Sequence, residues 1–120
     1  MEYLLFALFI KHAIADLFIQ SFRKPGNKGK LFSRTNYLHC LDHAVLTAIV
    51  FGLFGYSLYV VAIMFAIDFT LHYLIDHFKT RFVRHMGWGR DGRAFWRLQA
   101  FDQMAHYATY MLLVISVQII

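Results

Sequence analysis

Cysteine and charge are the two things that this sequence has little of. Cys40 is the single cysteine among 120 residues, which excludes an intrachain disulfide and a zinc site built from several thiolates. Charged residues make up 16% of the chain, whereas an ordinary soluble domain has about 25%. Hydrophobic residues make up 59% and occur in long runs. The composition therefore favours an integral membrane protein, and the length favours a single domain, 1–120.

Four apolar segments, each about 18–23 residues long, are close to the roughly 20 residues that a helix needs to cross the hydrocarbon of a bilayer. They cover residues 2–22, 37–54, 58–78 and 98–120. Two basic loops, 23–36 and 79–97, and one short uncharged connection separate them. No basic stretch precedes the first segment, so we expect no removable signal peptide. We predict an all-α fold, a bundle of four transmembrane helices that run up, down, up and down.

The basic residues indicate how this bundle would sit in a membrane. Both long loops are rich in Lys and Arg, whereas the short connection and the two ends of the chain have none. By the positive-inside rule the loops are cytoplasmic and both termini lie outside. The net charge of +5 then favours anionic lipid headgroups on the cytoplasmic side as partners, rather than nucleic acid.

Ionisable residues recur every four positions inside the apolar segments. The third segment holds Asp68, His72 and Asp76, which share one helix face because residues four apart lie above one another. Comparable stripes in the other segments are His12, Asp16 and Gln20, then His39 and His43, then Asp102 and His106. Although the helices alternate in direction, every stripe falls in the half toward the basic loops. We therefore expect the four stripes to meet in one polar site.

A divalent metal ion is the cofactor that this set of side chains predicts. Unpaired carboxylates at mid-bilayer would together cost on the order of 10 kcal/mol, and a cation offsets that cost. Imidazole and carboxylate ligands suit zinc, which we favour, and also manganese, iron or nickel. The expected ligands of one or two ions are His12, Asp16, His39, His43, His72, Asp76 and His106.

Hydrolysis is the chemistry that such a centre favours, because a pair of metal ions activates water and stabilises developing charge. We predict a substrate that is a lipid or another amphiphilic ester or phosphoester. Asp68 or Asp102 would be a ligand or the general base, and Gln20 would position substrate or water. Lys79 would offset negative charge, and Lys11 either snorkels toward the interface or pairs with a carboxylate.

The motifs taken together resemble a known family. They read His12-x3-Asp16-x3-Gln20, His39-x3-His43, Asp68-x3-His72-x3-Asp76-x2-Lys79 and Asp102-Gln103-x2-His106. This pattern spans nearly the whole chain and resembles a family of small four-helix membrane proteins of tailed phages and bacteria, catalogued as a domain of unknown function. The early His/Asp helix is similar, more loosely, to membrane-bound metal-dependent hydrolases. The first resemblance implies the fold, the site and a bacterial inner membrane, and the second implies hydrolysis.

Other functions are consistent with the same residues. They could line a pathway for protons, metal ions or other cations, although the outer halves of the helices hold almost no polar residue. Histidines on facing helices could hold haem, although aspartates one turn away fit a metal ion better. The stripes could also be structural interhelical hydrogen bonds in a phage membrane protein without catalysis. A bundle this small is compatible with a homo-oligomer.

Overall fold

Four α-helices and no strand make up the part of the chain that the computed structural model describes, residues 2–19, 34–87 and 92–120. The helices are α1 (Glu2–Ala13), α2 (Arg34–Leu53), α3 (Leu58–Met86) and α4 (Arg93–Ile119). A π-helical turn, Ile14–Ile19, continues α1. The all-α prediction is thus confirmed for these residues.

The connection between α2 and α3 is short because local signals end one helix and start the next. Gly55, at φ 85°, adopts the left-handed conformation that glycine takes without steric cost. The Ser57 side chain accepts a hydrogen bond from the backbone N–H of Val60, 3.3 Å away, and so caps the first turn of α3. At its other end α3 stops at Gly87, which is also left-handed, at φ 67°.

The third helix is longer than its apolar pattern predicts. Its predicted end is residue 78, but α3 continues to Met86. Residues 79–86 contain no glycine or proline, and their Lys and Arg are good helix formers. Two other helices begin earlier than predicted. After the second basic loop, α4 begins at Arg93 rather than at 98, and after the first, α2 begins at Arg34 rather than at 37. Basic residues favour a membrane interface, but they do not end a helix.

An apolar core fills one end of the bundle. Its buried members are Leu4, Leu8, Phe51, Met64, Tyr110, Leu113, Val114 and Val117. These come from the start of α1, the end of α2, the start of α3 and the second half of α4. Because starts and ends of successive helices meet there, the helices alternate in direction, as the predicted order requires.

The outside of the bundle is apolar. On α2, for example, Leu41, Val45 and Ile49 are 41–50% exposed and follow one another every four residues. Among the described helices, α3 is the one that is long and apolar enough to cross a membrane. Membrane insertion stays a prediction for all four helices.

Candidate metal centre

The polar stripes of the four helices meet in the half of the bundle beyond the apolar core. Their described members are His12 and Asp16, His39 and His43, Asp68, His72 and Asp76, and Asp102 and His106. All but Asp16 are at most 6% exposed, and the Asp16 side chain is 24% exposed. The structure therefore brings the predicted stripes together, except that Gln20 lies outside the described residues.

Two groups of these side chains could each hold a metal ion. Each residue offers one ligand atom, and within a group these atoms lie within 4.8 Å of one another. The first group is Asp16, His39, His43 and His72, and the second is His72, Asp76 and His106. His72 belongs to both, so the two groups form one continuous centre.

The distances between ligand atoms suit tetrahedral zinc. Two atoms bound to one tetrahedral zinc ion at about 2.0–2.2 Å are about 3.3–3.6 Å apart. Nε2 of His72 lies 3.2 Å from Asp76 Oδ2, and Nε2 of His106 lies 3.2 Å from Asp76 Oδ1. Nε2 of His39 lies 3.3 Å from Asp16 Oδ1 and 3.4 Å from Asp76 Oδ2. These side chains therefore stand at metal-ligand spacing.

Several of the buried atoms make no hydrogen bond. Within the described ranges, neither ring nitrogen of His72 has a hydrogen-bond partner, and the same holds for Asp76 Oδ2 and Asp102 Oδ1. A buried polar group left unpaired costs about 1–3 kcal/mol, and more if it is charged. The His72 and Asp76 atoms lie 3.2 Å apart without hydrogen-bond geometry. A cation bound between His72 Nε2 and Asp76 Oδ2 would pair both of these atoms, so these residues fit a divalent ion.

His12 stands apart, because both of its ring nitrogens are engaged. Its Nε2 faces two acceptors, Asp16 Oδ2 at 2.9 Å and Gln103 Oε1 at 3.0 Å, so Nε2 carries the proton. Its Nδ1 then accepts a hydrogen bond from the Tyr110 hydroxyl, 2.6 Å away. Although His12 is a predicted ligand, it lies outside both groups of described ligand atoms. Instead, the hydrogen bond from its Nε2 holds Asp16 in place.

His43 is held in a similar way. The Lys11 ammonium, which can only donate, lies 3.4 Å from His43 Nδ1, so that nitrogen accepts and Nε2 carries the proton. Nε2 then donates to Asp16 Oδ1, 2.8 Å away. Asp16, which lies in the π-helical turn, therefore receives hydrogen bonds on both oxygens. Such turns are frequent at functional sites.

Asp68 is committed to a buried ion pair. Lys11 Nζ lies 2.9 Å from Asp68 Oδ2, and the same oxygen accepts a hydrogen bond from the Thr47 hydroxyl. Of the two expectations for Lys11, pairing with a carboxylate is the one that the structure shows. Asp68 belongs to neither group of described ligand atoms. It lies one helical turn from His72, on the side of the apolar core, where Lys11 compensates its charge.

Asp102 has three neighbouring partners, and the Gln103 amide is one of them, since its Nε2 donates a hydrogen bond to Asp102 Oδ2 at 3.4 Å. Lys79 Nζ lies 3.3 Å from Asp102 Oδ2, where it offsets negative charge. Asp102 Oδ1 lies 3.4 Å from His106 Nε2 and makes no hydrogen bond to any of the described residues. One oxygen of this carboxylate is therefore free to bind a cation or to take a proton.

Tyr110 and Thr47 are the site residues that sequence reasoning missed. Tyr110 follows His106 by four residues, and Thr47 follows His43 by four, so each continues a stripe one turn toward the apolar core. Their hydroxyls satisfy the inner side of the polar centre. Extending each stripe through uncharged hydroxyl residues would have found both.

Comparison with known proteins places the chain in a family. The family model described as "Protein of unknown function (DUF3307)" matches residues 4–120. The chain therefore belongs to this family, and the expected membership in a domain of unknown function is confirmed. No curated protein and no solved structure matches the chain.

Proposed function

We propose that this member of the DUF3307 family is a membrane-embedded, metal-dependent hydrolase of a lipid or another amphiphilic ester or phosphoester. The observation that carries the proposal is the convergence of buried His and Asp ligand atoms from all four helices. Metal centres in helical bundles are built in this way, from inward side chains on facing helices.

The distribution of polar and apolar surface supports the membrane part of the proposal. Large apolar side chains are exposed on every helix, such as Phe6 on α1, Phe78 on α3 and Phe101 on α4, each at 63–66%. A water-soluble monomer seldom exposes apolar surface on this scale while it buries ionisable groups. We place the protein in a bacterial inner membrane, with both termini outside and the basic segments on the cytoplasmic side.

The ligand set supports a borderline metal ion, with zinc favoured and manganese or iron as alternatives. His39, His72, His106, Asp16 and Asp76 would hold it. An ion held there would supply Lewis acidity toward a carbonyl or phosphoryl oxygen. His12 and His43 would orient Asp16 through the hydrogen bonds already described, as partners of metal ligands commonly do.

A groove at the start of α4 supports an amphiphilic substrate. It has a volume of about 420 Å³ and is lined by Phe82, Ala94, Arg97, Leu98 and Phe101. Apolar walls with one arginine suit an acyl chain that carries an anionic headgroup. Leu98 is four residues before Asp102, and Phe82 is three after Lys79, so the groove lies about one helical turn from the Lys79–Asp102 contact.

Two observations weigh against the alternative functions. The apolar core closes the bundle beyond the site, and its Leu4, Phe51 and Leu113 are at most 1% exposed, whereas an ion pathway needs polar groups through the membrane. The ring centroids of His43 and His72 are 3.8 Å apart, and those of His72 and His106 are 4.1 Å apart. A porphyrin plane does not fit between rings stacked this closely.

Metal content and hydrolysis should be measured together on protein purified from membranes in detergent. His72→Ala is compared with His85→Ala, a matched change at an exposed histidine of α3. We expect bound zinc, manganese or iron and hydrolysis of a micellar phosphoester or carboxyl ester in the wild type and in His85→Ala. Both should be lost in His72→Ala. Folded wild-type protein that binds no metal would reject the proposal, and metal binding without hydrolysis of either ester class would reject the enzymatic part.

A further inference from the structure

The two oxygens of Asp76 face different histidines. Oδ2 lies 3.2 Å from His72 Nε2 and 3.4 Å from His39 Nε2. Oδ1 lies 3.2 Å from His106 Nε2, from which it accepts a hydrogen bond. All four residues are at most 4% exposed. Asp76 therefore stands between two separate sets of nitrogen ligands.

Ring orientation shows which histidines can share an ion. The lone pair of an imidazole nitrogen lies in the plane of its ring, so two histidines on one ion need ring planes that meet at that ion. The planes of His72 and His106 are only 25° apart, with ring centroids 4.1 Å apart. Planes so nearly parallel meet well beyond bonding distance. His72 and His106 are therefore poorly placed to bind the same ion.

His39 and His72 are oriented differently. Their ring planes are 71° apart, with centroids 5.2 Å apart, an angle at which in-plane lone pairs of the two rings can converge on one ion. Both Nε2 atoms approach Asp76 Oδ2, and His39 Nε2 also lies 3.3 Å from Asp16 Oδ1. His39, His72, Asp16 and Asp76 thus have the geometry of one four-ligand site.

His106 has a second carboxylate to complete its own site. Its Nε2 lies 3.4 Å from Asp102 Oδ1, a buried atom with no hydrogen bond among the described residues. The stacking of His106 on His72 is compatible with two ions held side by side. The 4.1 Å centroid separation of the two rings is close to the roughly 3.5–4 Å that separates the ions of two-metal hydrolytic centres.

We propose that Asp76 bridges two divalent ions. One is bound at Oδ2 with His39, His72 and Asp16, and the other at Oδ1 with His106 and Asp102. This inference rests on the proposed metal-binding function and defines its nuclearity. His43 stacks on His72 with planes 28° apart, so it too is misaligned for the ion of His72 and keeps its role of holding Asp16.

The number of ions per chain tests the proposal without any substrate. Metal-free protein is titrated with Mn²⁺, and bound ions are counted by elemental analysis while electron paramagnetic resonance reports their coupling. We expect two ions per chain with an exchange-coupled spectrum. Two variants of the second set, His106→Ala and the conservative Asp102→Asn, should bind one ion with an uncoupled spectrum. His85→Ala should bind two.

Each other outcome has a distinct meaning. One ion in the folded wild type overturns the second site but leaves the proposed function standing. Two uncoupled ions overturn the bridging role of Asp76. No bound ion overturns the metal-binding function itself. Because the wild-type count already decides between one and two, the test does not depend on the variants folding.

Discussion

The two halves of this bundle are held together in opposite ways. At one end, Leu4, Leu8, Met64 and Leu113 are at most 1% exposed and make apolar contacts that need no particular orientation. In the other half, ionisable side chains that are buried, apart from the partly exposed Asp16, meet at 2.8–3.4 Å in fixed directions. Apolar packing stabilises a fold, whereas burial of ionisable groups usually destabilises it. The comparison indicates that the apolar half maintains the fold, and it supports the proposal that the polar half binds metal.

A clean separation of effects follows from this comparison. Changes in the polar half should alter metal binding, and changes in the apolar half should alter unfolding while they leave the metal bound. A variant that changed metal binding and unfolding together would contradict this separation of the two halves.

The largest effect is expected at the carboxylate shared by both sets of nitrogen ligands. Asp76→Asn should reduce metal binding to below detection. It removes the charged carboxylate that lies next to His39, His72 and His106. Titration of the metal-free protein measures this directly. Asp42→Asn is the matched control. Asp42 lies on α2, next to His43 in the chain, but it belongs to neither group of described ligand atoms. Retained tight binding in Asp76→Asn would contradict the central position of this residue.

The buried ion pair gives the next largest effect. Lys11→Met leaves Asp68 as an uncompensated buried charge and should lower the free energy of unfolding by about 3–5 kcal/mol. Replacing both residues, as Lys11→Met with Asp68→Leu, should recover most of that loss because no charge is stranded. Thermal unfolding in detergent compares the three proteins. Equal destabilisation in the single and double variants would show that the two residues do not act as a pair.

A substitution in the apolar half should have the reverse profile. Leu8→Ala removes a fully buried side chain and should lower the free energy of unfolding by about 3 kcal/mol through the cavity that it leaves. The dissociation constant of the metal should change by less than about threefold, because no ligand or hydrogen-bond partner moves. Thermal unfolding and metal titration on the same sample measure the two predicted quantities. A large loss of metal affinity would show that the apolar core sets the ligand positions.

The smallest effect is expected from the hydroxyl that links the halves. Tyr110→Phe removes the donor that fixes the proton of His12 on Nε2, and should weaken metal binding by about tenfold or less, because His12 contacts the ligand Asp16 rather than the ion. Tyr107→Phe is the matched control, because the Tyr107 ring also contacts His12 but is 42% exposed. Nitrogen chemical shifts of His12 in metal-free protein report the same change of tautomer. Unaltered shifts and affinity in Tyr110→Phe would exclude a positioning role for this tyrosine.

Much of this arrangement could be predicted from periodicity. Four-residue spacing of Asp and His assigns each stripe to one helix face, and alternating helix direction places the stripes in the same half. Periodicity does not fix the rotation of one helix against another, so it could not show that Lys11, 57 residues away, captures Asp68. Nor does it fix the direction of a ring, on which the proposed roles of His39, His72 and His106 as ligands and of His12 and His43 as partners of Asp16 depend. The continuation of α3 to Met86 depended on the absence of a stop signal rather than on any apolar pattern.

X-ray absorption at the zinc edge tests most directly whether the polar half is a metal centre. Zinc-loaded protein should show only nitrogen and oxygen neighbours at about 2.0–2.2 Å, with the outer scattering of two or more imidazoles, and no sulfur at about 2.3 Å. His72→Ala should lose part of the imidazole signal, and His85→Ala should keep it. Zinc that fails to bind, or a spectrum without imidazole, would contradict the account.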